Sequence, residues 1–229
     1  MFSRLLGRSY PLQKEDAAYQ ARLDRWGPLY TVGLVYLGGA IQRSPGALPE
    51  TLLGSRITSS KEVMGVLEVL ERDSTVKAVV LRVDSPGGDA FASDEIWHRV
   101  QKLRVRKPVV VSMAGVAASG GYYLAAAAHE IFADPATLTG SIGVYSGKAN
   151  LKRLLDRFGV NPVTFSALPT APRLDTLERP WTDQERERLE TSVEATYQQF
   201  LERVAEGRKM SLEQVKAIAG GRVWTLSLI

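Results

Sequence analysis

The 229-residue sequence contains no cysteine, which excludes disulfide scaffolds, thiolate zinc sites and cysteine nucleophiles together. Histidine is almost as scarce. His98 and His129 are the only two, too few for a multi-histidine metal centre, and no metal or cofactor is expected. Long apolar runs are missing as well. The most apolar stretch near the N-terminus, Leu29–Ala40, falls short of the about 20 residues a spanning helix needs and is rich in glycine. The opening Met1-Phe-Ser-Arg-Leu-Leu-Gly-Arg-Ser9 has basic residues but no apolar stretch behind them, so it does not read as a secretory signal.

The remaining composition is that of an ordinary globular chain: 45% hydrophobic, 24% charged, with a net charge of +4. The basic surplus lies in residues 1–56 and in a run from His98 to Lys107. Neither segment has the interleaved aromatics or the binding motif of a nucleic-acid interface, so a solvated helix face is the expected role of the run and no nucleic-acid partner is expected.

Strands and helices alternate along the middle of the chain. Tyr30–Leu37 reads as a strand, and Gln42–Arg56, with its prolines and glycines, as a loop. Ser59-x-x-Glu62 is a capping-box signature ahead of a helix with Val63, Val66, Leu67 and Leu70 on one face. Val76–Val83 is the next strand and runs into Asp84-Ser-Pro-Gly-Gly88; a helix burying Ile96, Val100 and Leu103 follows. Pro108–Met113 is a strand that leads through Ala117-Ala-Ser-Gly-Gly121 into a small-residue helix over Tyr122–Ala128. Glu130–Ala133 reads as a short strand, Leu151, Leu154, Leu155 and Phe158 as a helical stripe, and Val160–Phe165 as strand-like. This alternation predicts an α/β fold with a parallel sheet. After Pro180, Thr182-x-x-Glu185 opens a long helix lined by Leu189, Val193, Tyr197, Phe200 and Val204 that ends at Gly207, with a short helix over Ser211–Ala219. The expected division is a lead-in over 1–29, an α/β domain over 30–180 and a C-terminal helical part over 181–229 that stops short.

Two glycine pairs directly follow strands. At Ser85-Pro86-Gly87-Gly88 the uncovered backbone amides of Gly87 and Gly88 suit an oxyanion hole, or equally a tight strand-to-helix turn. Ser119-Gly120-Gly121 is sharper. A serine at a helix start is usually an N-cap, but two glycines in the first turn cost about 1 kcal/mol each against alanine. A nucleophile that a substrate carbonyl must approach accounts for that cost, and Val116, Tyr122 and Ile142 are the expected apolar walls beside it. His98 and His129 are weak candidates for its base, and a buried lysine such as Lys148 is the alternative.

Taken together, Asp84-Ser-Pro-Gly-Gly88, Ala117-Ala-Ser-Gly-Gly-Tyr-Tyr123 and Thr139-Gly-Ser-Ile-Gly-Val144 resemble the signal peptide peptidase A family, closest to the C-terminal half of its long, two-repeat bacterial form. The resemblance covers roughly residues 30–225 and implies a Clp-protease/crotonase-like fold of repeated β-β-α units. It further implies a membrane-associated serine peptidase of the Ser–Lys type that hydrolyses signal peptides and assembles as a homo-oligomer. Matched residue by residue, Ser119 takes the place of the nucleophile, Ser141 that of the serine orienting the lysine, and Gly87 or Gly88, with Gly120 beside them, that of the oxyanion donors. The general-base lysine is not found at the family position, since no lysine occurs between Lys152 and Lys209. Another repeat or a partner chain is therefore its expected source, with Lys148 as an in-chain candidate. Two other readings are a non-catalytic assembly subunit or inactive fragment of the same fold, and a crotonase-like acyl-coenzyme A enzyme.

Overall fold

The computed structural model describes residues 30–44, 56–163, 174 and 176–225; the lead-in over 1–29 and most of the Gln42–Arg56 loop lie outside them. The strands are β1 (Thr31–Gly38), β2 (Ala40–Gln42), β3 (Ile57–Ser59), β4 (Val76–Ser85), β5 (Val109–Ala118), β6 (Glu130–Phe132), β7 (Leu138–Gly140) and β8 (Val223–Thr225). The helices are α1 (Ser60–Arg72), α2 (Ala90–Arg104), α3 (Gly120–Ala125), α4 (Lys152–Arg157), α5 (Asp183–Arg208) and α6 (Leu212–Ile218).

β1, β4, β5 and β7 lie side by side as parallel strands. β6 pairs with the first half of β5 and β7 with its last residues, so β5 supports two partners on one edge. β8 closes this sheet antiparallel to β7, and β2 and β3 form a separate parallel pair. The expected parallel α/β architecture is observed. Its core lies on one face of the sheet. Leu37 of β1, Val79, Leu81 and Val83 of β4, and Val109, Val111 and Met113 of β5 are buried with Val63 and Leu67 of α1 and Ile96, Val100 and Leu103 of α2. Burial of each such aliphatic side chain contributes about 1.5–3 kcal/mol. On the opposite face Val32, Leu34, Tyr36 and Phe132 are more than half exposed.

Helix starts follow local chemistry. The Ser59 hydroxyl accepts from the Glu62 amide, and Asp89 Oδ1 accepts from the Ala92 amide at 2.6 Å. Thr182 and Glu185 form a reciprocal capping box at the head of α5, and Ser211 with Gln214 does the same for α6.

Two expectations are corrected, and the helix expected at the Leu151–Phe158 stripe forms without burying it. α5 does not stop at Gly207 but continues to Arg208 and is capped by left-handed Lys209 (φ 55°). Gly207 serves packing instead, because a Cβ there would lie 2.0 Å from the Ala126 carbonyl oxygen. The Leu151–Phe158 stripe forms α4, but none of that helix is buried, with Leu154 and Phe158 exposed. Val160–Val163 is irregular rather than a strand, and the remainder of the Val160–Phe165 segment lies outside the described residues.

Candidate active site

Three neighbouring parallel strands end at the same edge, and each delivers one part of a cleft. β4 runs into Pro86-Gly87-Gly88, β5 into Ser119, and β7 into Ser141. Register does the alignment: Ala118 pairs with Gly140, and the Ser119 amide donates to the Gly140 carbonyl at 2.9 Å.

Ser119 sits at the junction of β5 and α3 with φ 51° and ψ −121°, left-handed backbone that a residue with a Cβ seldom adopts. Its hydroxyl makes no capping bond to α3. The usual explanation for a serine in this place is thereby removed. The side chain is half-buried and lines a cavity of about 780 Å³, as does Ser141, which also has φ 51°. Strained backbone at two residues lining one cavity is the kind of local cost that clusters at functional sites.

The glycines beside Ser119 are there because nothing larger fits. A Cβ on Gly87 would lie 2.6 Å from the Gly120 nitrogen and 2.8 Å from Ser119 Cβ; one on Gly120 would meet Ser93 Oγ at 2.3 Å. Their amides have different fates. The Gly87 N–H donates to Ser85 Oγ at 3.1 Å, and that hydroxyl in turn donates to the Gly39 carbonyl at 2.6 Å. Gly88 forms a parallel bridge with Ile41, in which Ile41 N donates to Gly87 O and Asp89 N donates to Ile41 O. A residue flanked in this way turns its own N–H and C=O to the other side. The Gly88 nitrogen lies 3.3 Å from the position of a Gly120 Cβ, on the Ser119 side. Gly120 is the first residue of α3, so its N–H has no intrahelical acceptor. Gly88 and Gly120 thus each present beside Ser119 an amide with no acceptor among the described residues, whereas the Gly87 amide is spent within its own turn.

The cavity walls differ from those expected. Val116, Tyr122 and Ile142 do not line it; Tyr123, Val144, Val193, Tyr197 and Phe200 do. Helical geometry accounts for the exchange on α3, since residue i+4 from Ser119 is Tyr123, not Tyr122. Tyr122 is instead half-buried against the core, and burial of its hydroxyl raises its pKa. The contribution of α5 was hidden in the sequence, because Val193, Tyr197 and Phe200 read as an ordinary core-facing stripe.

Neither histidine lines the cavity. His129 Nδ1 accepts from the Val109 amide at 3.1 Å, and His98 Nε2 lies 3.4 Å from Asp94 Oδ2. Lys148 is likewise elsewhere: its Nζ donates to the Thr176 carbonyl at 2.8 Å and sits 5.4 Å above the Trp181 ring. Among the described residues that line the cavity there is no lysine or arginine.

Comparison with known proteins agrees with this geometry. The sequence model of the Clp protease family matches residues 52–137, and that of Peptidase family S49 matches residues 101–227. The chain is 41% identical over 194 residues to the chloroplastic serine protease SPPA of Arabidopsis thaliana, covering 85% of this chain and 28% of that protein. It is 40% identical over 162 residues to Protease 4 of Haemophilus influenzae, covering 69% of this chain and 26% of that one. It therefore spans less than a third of either relative. Among solved structures, a ClpP1 variant from Listeria monocytogenes superposes with a TM-score of 0.52 at 18% identity, over 85% of this chain and 82% of the other, a likeness of fold. The S49 match alone runs from the end of α2 through the Ser119 and Ser141 turns to β8, and with it the chain belongs to Peptidase family S49.

Proposed function

We propose that this chain is the serine-bearing part of a peptidase that works through an acyl-enzyme on Ser119. The observation that carries the reading is the strained, uncapped Ser119 next to the acceptor-free amides of Gly88 and Gly120. In the first step a neutral lysine amine takes the Ser119 Oγ proton while Oγ bonds to the peptide carbonyl carbon. The carbonyl oxygen, now negative, is held by the two amides. Collapse expels the amine half of the peptide, which takes the proton from the lysine ammonium; water then cleaves the ester by the same route. Ser141, in the matched turn of β7, orients the lysine.

The lysine comes from a second repeat or a partner chain. Lys148 is committed to Thr176, and among the described residues no basic side chain lines the cavity. The substrate is an apolar peptide of membrane-derived, signal-peptide type, in keeping with walls built from Tyr123, Val144, Val193, Tyr197 and Phe200. Membrane association and a homo-oligomeric assembly belong to the same reading; among the described residues no helix is long and apolar enough to cross a membrane. The α/β body over 30–180 and the helical part over 181–229 act as one unit in it, since both wall the cavity.

The lack of a basic side chain among the described residues lining the cavity also favours a second reading, a non-catalytic assembly subunit that keeps the fold. A crotonase-like acyl-coenzyme A enzyme would use a carboxylate beside the oxyanion hole; Asp89 and Glu194 both line the cavity, and it is the uncapped Ser119 hydroxyl in the nucleophile position that speaks against this reading. Hydrolysis of an apolar fluorogenic peptide, with and without a lysine-bearing partner repeat, separates the first two. The peptidase reading expects turnover that Ser119→Ala abolishes; turnover that survives Ser119→Ala overturns it.

A further inference from the structure

Tyr123 ties the Ser119 turn to two distant elements. Its backbone N–H donates to the Ser119 carbonyl at 2.8 Å, which is the first hydrogen bond of α3. Its hydroxyl donates to Asp94 Oδ1 on α2 at 2.7 Å. Arg203 on α5 reaches the same carboxylate, with Nε 3.4 Å from Oδ1 and the guanidinium 4.2 Å above the Trp97 ring. Phe200, one turn earlier on α5, packs its ring on that of Tyr123 with centroids 4.7 Å apart. Asp94 is thus the point where the helix bearing the nucleophile, the helix that follows the oxyanion glycines, and the C-terminal helix meet.

The ring packing alone would leave Tyr123 free to rotate its hydroxyl elsewhere. The hydroxyl instead remains a donor to Asp94, since burial first, and the Asp94 bond and charge next, push its pKa well above the usual phenol range. Arg203 and His98 are the other ionisable groups at Asp94, and Arg203 Nη2 lies 3.2 Å from His98 Nε2. α2 meets the same site at the residue before Asp94, because Ser93 Oγ fills the space that a Gly120 side chain would need.

We propose that Asp94 and Arg203 are positioning residues, acting through Tyr123 to hold the Ser119–Gly120 turn, so that seating of α5 on the body sets the geometry of the nucleophile. The inference rests on the peptidase reading for its consequence in activity, but the lock itself can be observed without turnover. A cleft wall supplied by α5 is then also the device that assembles the site, and a chain with α5 displaced should carry Ser119 in a turn of no fixed geometry.

The test measures two quantities on the full chain assembled with its lysine-bearing partner, for wild type, Tyr123→Phe, Arg203→Lys, Asp94→Asn and Asp94→Leu. One is the rate constant for modification of Ser119 by an organophosphorus serine-reactive probe, separated from the probe's reversible affinity. The other is amide hydrogen exchange over residues 119–126 and, as a reference, over β4. Loss of the lock in Tyr123→Phe and Asp94→Leu should slow modification roughly ten- to a hundredfold, as expected for a misplaced reacting group. Exchange over 119–126 should rise while β4 is unchanged. Asp94→Asn keeps an acceptor for Tyr123 and should restore most of the rate, and Arg203→Lys, which keeps the charge but not the stacked plane, should fall between. Unchanged exchange over 119–126 in Tyr123→Phe, or a rise spread equally over β4, overturns the proposal. If wild type is not modified at Ser119, the peptidase reading fails, and the exchange comparison alone still decides whether the lock exists.

Discussion

Ser119 and Ser141 occupy matched positions on adjacent parallel strands, one residue beyond the paired Ala118 and Gly140, and both take φ 51°. The two turns are tied by the Ser119 amide to the Gly140 carbonyl, and Ser141 is held from its other side by donating its own amide to the Arg222 carbonyl. Left-handed backbone costs a residue with a Cβ about 1–2 kcal/mol, so two such costs are met at one cleft.

That pairing allows backbone and hydroxyl to be separated at position 141. Glycine relieves the left-handed strain and removes the hydroxyl, so Ser141→Gly should leave the melting temperature equal or higher while turnover falls at least about tenfold, the usual worth of a positioned proton-relay group. Thermal denaturation and kcat on the same preparation check both halves.

Gly87 carries no free amide yet is predicted to be essential. Its φ is +99°, and a methyl group there would press on Ser119 Cβ and the Gly120 nitrogen at once. Gly87→Ala should lower turnover about a hundredfold or more, comparable to loss of an oxyanion donor. Peptide hydrolysis measured beside a far-ultraviolet spectrum separates this from unfolding.

Lys148 should be dispensable for chemistry. Its Nζ is bonded to the Thr176 carbonyl and faces Trp181, outside the cleft. Lys148→Met should leave the pH–rate profile of the assembled enzyme unchanged, and a lost acid limb in that profile would place the lysine in the reaction after all.

Tyr123 gives a pH prediction with a definite sign. Its folded-state pKa is raised from 10.0, mainly by burial, then by Asp94. A group with a raised folded-state pKa contributes its full stability below its unfolded value and loses it as pH climbs toward the folded one. The stability difference between wild type and Tyr123→Phe should therefore be constant at neutral pH and shrink above pH about 10. Denaturant titrations across that range measure it.

Much of this was legible before the structure. Alternating strands and helices gave the parallel sheet, and Ser59, Thr182 and Ser211 sit at helix starts for reasons of local hydrogen bonding that the residue types announce. The Ser119–Gly120 and Pro86–Gly88 turns stood out because glycine is costly where it does nothing. Backbone direction was not legible. That Gly88 rather than Gly87 turns its amide to Ser119 depends on the bridge to Ile41, a contact between residues 47 positions apart that no local pattern encodes. Nor could the sequence distinguish the faces of α5, since Val193, Tyr197 and Phe200 have the same spacing whether they fill a core or wall a cleft. The stripe of α4 shows the converse, apolar periodicity without burial.

The central claim is that the Ser119 hydroxyl is the group that forms the acyl bond. Its most direct measurement is mass-spectrometric mapping of the adduct left by an organophosphorus serine probe on the full chain assembled with its lysine-bearing partner. The account predicts one adduct, on the peptide containing Ser119, absent from Ser119→Ala. An adduct on Ser93 or Ser141 instead, or an unmodified chain under conditions where the assembly hydrolyses peptide, would contradict it.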